Sequence, residues 1–333
     1  MRRILLIIVA TLFFAACDKV LIGPDPDNSE TECFRIFWEN YDLHYPSFII
    51  KNINWDSVKN TEMPLIKTKG LRTVFTDVGK TLKDLHFEVK TNNGLYIESP
   101  LPWLNRPTNS PVNIFRYISL RRIYGIYIEY GTYNNIGYIS VRDFGLEKQY
   151  YNQAAEKIST LFKNMDGIVI DIRDNPGGDA SNGDIIASRF IDKKLLCYKF
   201  RYRNGPGHSD FGREIDHYIE PTGDFQFTKP VAVLTNKRCG SASEMFCLSM
   251  KRIPNAFIVG DTTSGTITDN EMHELPNGWL YRMPVAYILT PDNKISEGKG
   301  VPPDYPVWNT KRDSAKGRDL VFEKAVELIG NKN

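Results

Sequence analysis

Apolar positions along this chain follow two rhythms. Phe34, Phe37, Trp38 and Tyr41 recur at i, i+3, i+4 and i+7, the buried stripe of a helix. Phe75, Val78, Leu82 and Leu85 repeat that spacing and predict a helix over residues 64–85, with His86 at or just past its end. From residue 137 onward the rhythm changes. Short apolar runs at 137–141, 167–172, 231–234 and 256–259 read as buried strands, separated by helical patterns at 148–164, at 183–191 and after residue 241. An Asn277-Gly278 pair ahead of the loosely alternating 279–289 is a hairpin signal, and residues 314–329 form an amphipathic helical pattern. The aromatic-rich stretch 198–227 reads as a surface excursion or a strand pair. Strands alternating with helices predict an α/β domain.

Two of the turns carry candidate chemistry. After the 231–234 strand comes Cys239-Gly240-Ser241-Ala242-Ser243-Glu244, opening an apolar helix. Ser-x-x-Glu there is a capping-box signature, with Ser241 as N-cap and Glu244 at N3. The same position suits a nucleophile, because the N–H groups and dipole of a helix start stabilise an oxyanion beside it. After the 167–172 strand, Asp174-Asn175-Pro176-Gly177-Gly178 is a tight turn whose glycines let the backbone approach a ligand and point N–H groups outward.

Four blocks occur in order: Asp171-Ile172-Arg173-Asp174-Asn175-Pro176-Gly177-Gly178, Ser241-Ala242-Ser243-Glu244, Gly260-Asp261-Thr262-Thr263-Ser264-Gly265, and Glu297-Gly298-Lys299-Gly300-Val301-Pro302-Pro303-Asp304. Together they resemble the tail-specific (C-terminal processing) serine peptidase family over residues 135–307. The resemblance implies a ClpP/crotonase-like ββα superhelix, with Ser241 as nucleophile and the N–H groups of Gly178 and Ala242 as oxyanion hole. No cofactor and no metal is implied.

The chain departs from one branch of that family and approaches another. The serine–lysine branch places its lysine directly after G-x-x-T-x-G, where this chain has Thr266. Lys251 lies ten residues along the serine's own helix, about 15 Å away at the helical rise, and cannot serve instead. The tricorn-core-like branch takes a histidine from a short L-x-D-x-H-like segment, matched by Leu82-Lys83-Asp84-Leu85-His86, which makes His86 the candidate base. Glu297 matches that branch's glutamate and would orient the base; the serine found beside the family's histidine is Leu85 here. His44, His208, His217 and His273 match no family segment. Residues 87–134 are too few for the PDZ domain many relatives carry, so recognition of substrate tails by such a module is not expected.

Composition adds limits. A net charge of +2, with no basic cluster interleaved with aromatics, gives nucleic-acid binding no support. Two arginines, an apolar stretch and Phe14-Ala15-Ala16-Cys17 read as a signal peptide ending in a bacterial lipobox, which predicts lipid on Cys17 and a cell-envelope location. Cys33, Cys197, Cys239 and Cys247 have no zinc-ligand spacing, and any pairing is open; Cys239 reads as a small buried residue. The expected organisation is a signal peptide (1–16), a tether (17–30), a small N-terminal helical domain (31–86), a β/loop connection (87–134) and a peptidase domain (135–333). A membrane and a peptide or protein substrate are the expected partners; the oligomeric state is not legible. The expected activity is that of an envelope serine endopeptidase. A lipoprotein that keeps the fold but only binds a peptide or small hydrophobic ligand is the rival, and an acyl-CoA enzyme of crotonase type fits the envelope poorly.

Overall fold

The computed structural model describes residues 27–100, 109–111 and 113–331; the expected signal peptide and Cys17 lie outside them. Helix α1 (Glu30–His44) starts on Ser29, whose side chain accepts the Glu32 N–H, and buries Cys33, Phe34, Phe37, Trp38 and Tyr41 as the periodicity requires. Helices α2 (Trp55–Glu62), α3 (Ile66–Lys69) and α4 (Leu71–Leu82) follow. The single helix expected over 64–85 is thus divided. Gly70, at φ +76, breaks it, and the left-handed Lys83 stops it at Leu82, four residues ahead of His86.

Strands β1 (Glu88–Lys90) and β2 (Tyr96–Glu98) pair with each other. Next come β3 (Arg121–Tyr124), β4 (Ile128–Tyr133), β5 (Ile136–Val141), α5 (Lys148–Ser159), β6 (Gly167–Asp171) and α6 (Ala180–Ala187). The stretch 198–227 holds an antiparallel pair, β7 (Leu195–Tyr202) with β8 (Ile215–Ile219). Strand β9 (Val231–Thr235), helix α7 (Ala242–Met250) and strand β10 (Ala256–Gly260) carry the serine block. The predicted hairpin joins β11 (Thr268–Glu274) to β12 (Leu280–Leu289), turning at Gly278 with φ +81. The chain then runs through β13 (Tyr305–Pro306), α8 (Lys311–Ala315) and α9 (Leu320–Asn331); a turn at Lys316 and Gly317 splits the expected C-terminal helix.

Among the described residues, seven strands form one sheet in the order β13-β10-β9-β6-β5-β4-β3, parallel from β13 to β5. Its central strands are covered on both faces, which is why their sequences are continuous apolar runs. Ile168 and Ile170 of β6 and Val231 and Val233 of β9 face a core shared with α5, α6 and α7, whereas Val169, Ala232 and Leu234 face one shared with α9. A second, antiparallel sheet runs β2-β1-β12-β7-β8, with β11 also on β12. Its third core joins it to the N-terminal helices through Phe37, Phe75, Phe87 and Tyr281. The mixed α/β architecture expected from the pattern is present. The turns after the carboxyl ends of β6, β9 and β10 meet at one edge of the parallel sheet, where α/β sheets bind ligands.

Candidate active site

Ser241 sits at the N-cap of α7 with φ +52 and ψ −122, a backbone region that side chains avoid. The capping box is not made. Ser241 makes no capping hydrogen bond, because an N-cap works from extended backbone and this residue is not extended. Glu244 turns away instead. Its buried carboxylate accepts hydrogen bonds from Thr263 Oγ1 at 2.5 Å, Thr266 N at 2.8 Å, Gly265 N at 2.9 Å and Ser264 Oγ at 3.0 Å. One side chain thereby ties the Thr262–Gly265 turn to the helix, and the Ser241 N–H donates to Thr266 O at 3.1 Å.

The Gly177-Gly178 turn is fitted against this junction. A Cβ on Gly177 would stand 2.7 Å from Ser241 Cβ, and one on Gly178 would stand 2.2 Å from Gly145 N; both residues also have positive φ. Only glycine fits here. Asn175 joins the two turns: its Oδ1 accepts the Gly177 N–H, its Nδ2 donates to Val141 O, and its carbonyl accepts from Gly240 N and Ser243 Oγ. Beneath it, Arg173 is fully buried, with its guanidinium held by Asp171, Asp319 and Asn109 O. Among the described residues neither the Gly178 nor the Ala242 N–H donates to a protein acceptor. Ser241, Gly178 and Ala242 line one cleft of about 300 Å3, together with Phe200, Met245, Thr268, Asp269 and Asn270.

The other expected residues lie in a second, adjoining group. Glu297 is buried; its Oε2 accepts the Ile267 N–H at 2.8 Å, one residue beyond the carbonyl that holds Ser241 N. Its Oε1 is 3.4 Å from Lys51 Nζ. Lys51 donates to Asp84 Oδ2 at 2.5 Å, and Tyr45 OH donates to the same oxygen at 2.7 Å. Asp84 Oδ1 accepts the His86 N–H at 3.0 Å and lies 3.7 Å from His86 Nδ1. Among the described residues, Asp84 is the one carboxylate within 4 Å of the imidazole nitrogens. His86 itself is buried, its Nδ1 without a hydrogen-bond partner, and no hydrogen bond joins it to Ser241.

One ammonium therefore serves two buried carboxylates, and they divide the charge unequally. Burial works to raise the Asp84 pKa, but Lys51 and His86 beside it hold the carboxyl well below the usual range. Burial, then the negative charge of Asp84, push the Glu297 carboxyl up to about 8 against the pull of Lys51. Burial opposes the charge on Lys51, and the two carboxylates overcome it, leaving its pKa raised. Within this group the negative charge is favoured on Asp84 over Glu297. Lys51, Glu297, Lys83, Lys237, Ser264, Gly265 and Thr266 line a cavity of about 460 Å3.

Lys51 escaped the sequence reading because it is 35 residues before His86 in a turn without a motif; Asp84 stood inside the quoted segment without a role. The remaining histidines have other surroundings. His208 pairs with Asp42, His217 pairs with Asp184 while stacked on Tyr198, His273 lies against Asn40, and His44 is exposed at the end of α1. Cys33, Cys197, Cys239 and Cys247 are buried and unbridged. Burial pushes the Cys239 thiol up, away from nucleophilic chemistry.

The chain is similar to several known proteins. The family model described as Peptidase family S41 matches residues 135–307. The carboxy-terminal processing protease CtpA of Bacillus subtilis is 29% identical over 171 residues, covering 51% of this chain and 34% of the relative. The chloroplastic carboxyl-terminal-processing peptidase 2 of Arabidopsis thaliana is 31% identical over 173 residues, covering 52% and 32%. The chain thus spans about a third of the length of these curated relatives. A solved structure of a candidate peptidase from Parabacteroides merdae superposes with a TM-score of 0.79 at 28% identity, covering 91% of this chain and 97% of that one. With its four sequence blocks assembled around one serine, and with that match over more than half its length, the chain belongs to peptidase family S41.

Proposed function

We propose that the protein is a serine endopeptidase of the cell envelope, anchored by lipid on Cys17. The observation that carries this reading is Ser241: a serine held in a strained turn, uncapped, in a cleft with two unclaimed backbone N–H groups. Strain of this kind persists where surrounding structure over-determines it, and it presents the hydroxyl outward from the sheet edge.

In the reaction, Ser241 Oγ attacks the scissile carbonyl as His86 takes its proton. The C–O bond forms, the carbonyl π electrons move onto oxygen, and Gly178 and Ala242 N–H groups hold the resulting oxyanion. Collapse of the intermediate breaks the C–N bond, with the His86 proton passing to the leaving amine. Water then attacks the acyl-enzyme by the same route, and the acid product leaves. Glu297 belongs to the charged group that holds the base rather than to the bond-making atoms. The approach of His86 to Ser241 tightens when substrate fills the cleft, as catalytic hydrogen bonds commonly do.

The test is the intact mass of purified protein after exposure to an alkyl fluorophosphonate. One adduct, mapped to Ser241 and lost in Ser241→Ala, is expected. An unmodified wild type would favour the ligand-binding alternative. The anchoring is tested by metabolic labelling with a palmitate analogue, where retained label in Cys17→Ser would refute it.

A further inference from the structure

Resting on the peptidase reading, we propose that Asp84, clamped by Lys51 and Tyr45, is the positioning carboxylate for His86, and that Lys51 links this pair to Glu297. The case begins with distances. Asp84 Oδ1 is 3.7 Å from His86 Nδ1, whereas Glu297 has no imidazole nitrogen within 4 Å and spends its oxygens on Ile267 N and Lys51. Among the described residues the buried Nδ1 has no hydrogen-bond partner, and Asp84 Oδ1 is the carboxylate oxygen that faces it.

Asp84 is itself fixed from three sides. Its Oδ2 receives Lys51 and Tyr45, its Oδ1 receives the His86 N–H, and its own N–H donates to Ser99 Oγ, which in turn donates to Gly79 O in α4. A carboxylate that spent its charge on a helix cap alone would not need a half-buried lysine. This one faces a histidine on one oxygen and a cation on the other. Placed at Nδ1, it favours the tautomer with the proton on Nδ1 and leaves Nε2 as the acceptor that a general base requires.

Lys51 then answers what stands in place of the serine absent at position 85. Its Nζ reaches both Asp84 and Glu297, and Glu297 in turn holds the Ile267 N–H, next to the carbonyl that holds Ser241 N. The base and the nucleophile, on separate parts of the chain, are thereby joined through one ammonium and two carboxyls. The arrangement differs from a direct glutamate–histidine contact because Lys51 and Asp84 stand between Glu297 and the imidazole.

The experiment has two arms on the whole protein. First, second-order rates of fluorophosphonate labelling are compared for wild type, Asp84→Asn, Lys51→Met, Tyr45→Phe and Glu297→Gln, each checked for an unchanged circular-dichroism spectrum. Loss of an orienting carboxylate costs a base of this kind roughly 100-fold or more. That loss is expected for Asp84→Asn, with a smaller one for Lys51→Met, a slight one for Tyr45→Phe, and a loss for Glu297→Gln below that of Asp84→Asn. Second, long-range 1H–15N spectra read the tautomer of His86, assigned by its absence in His86→Gln. The Nδ1-protonated form is expected in wild type and Tyr45→Phe and lost in Asp84→Asn. Because Tyr45→Phe keeps the carboxylate, it serves if Asp84→Asn does not fold. Its expected result is then a weakened preference for the same tautomer.

The proposal is overturned if Asp84→Asn labels within about threefold of wild type, a gap smaller than base positioning allows, or if Glu297→Gln loses more than Asp84→Asn. An Nε2-protonated His86 in wild type overturns it as well. A wild type that never labels removes the peptidase reading, while the tautomer arm still decides the Asp84–His86 pairing.

Discussion

Replacing Ser241 by glycine should make the protein more stable while abolishing its chemistry. The backbone at 241 has φ +52 and ψ −122, where a Cβ is crowded and the cost is about 1–3 kcal/mol. Glycine removes that cost but gives the unfolded chain more freedom, a loss of about 0.5–1 kcal/mol. The Ser241 hydroxyl makes no capping hydrogen bond, so deleting it forfeits no helix cap. The net expectation for Ser241→Gly is a gain of about 1 kcal/mol. Ser241→Ala keeps its Cβ and its strain and should change stability by less than about 0.5 kcal/mol. Urea unfolding followed by tryptophan fluorescence measures all three proteins, with fluorophosphonate labelling run alongside. Both variants should be inert to the probe. If Ser241→Gly is less stable than Ser241→Ala, the turn is not strained, and the argument that the fold holds this serine against its preference fails.

The other expectations concern what surrounds the serine. Arg173→Met strands two buried carboxylates, Asp171 and Asp319, and should cost about 3–5 kcal/mol at pH 7. Despite burial, which raises it, the Asp171 pKa is held low by Arg173, so that stability is present above the unfolded carboxylate range and is lost as pH falls; the penalty in denaturant titrations should shrink towards pH 3. Gly178→Ala would place a methyl 2.2 Å from Gly145 N at φ +132, so expressed protein should unfold at lower urea and lose labelling, and wild-type behaviour would contradict the tight fit. The Glu297 carboxyl is raised to about 8 from 4.5, so its contribution is fully present below pH 4.5 and is lost as pH rises through 8. Glu297→Gln, which imitates the protonated form, should flatten the decline of stability over that window; an unchanged slope would show that Glu297 is ionised at neutral pH.

Much of this was legible in the chain because the relevant signals are local. Short, mainly apolar runs at β5, β6, β9 and β10 announced buried strands, and Asn277-Gly278 announced a hairpin. Glycines at 177 and 178 could be read as a close approach because no other residue allows it. The misreadings arose where local and tertiary demands compete. Ser-x-x-Glu has the spacing of a capping box, yet four donors from the 263–266 turn outbid the backbone for Glu244, and the positive-φ backbone leaves Ser241 unable to cap. The long helix before His86 was divided at Gly70, a position whose φ of +76 the apolar spacing does not register. Lys51 left no trace at all, since its role depends on contacts with Asp84 and Glu297, 33 and 246 residues away.

The most direct test of the central claim is a crystal structure of the protein after reaction with an alkyl fluorophosphonate. The account predicts phosphorus bonded to Ser241 Oγ. It also predicts the phosphonyl oxygen within about 2.7–3.1 Å of both Gly178 N and Ala242 N, with His86 Nε2 turned towards Ser241 Oγ. A phosphonyl oxygen directed into solvent, or a His86 that remains apart from the modified serine, would contradict it.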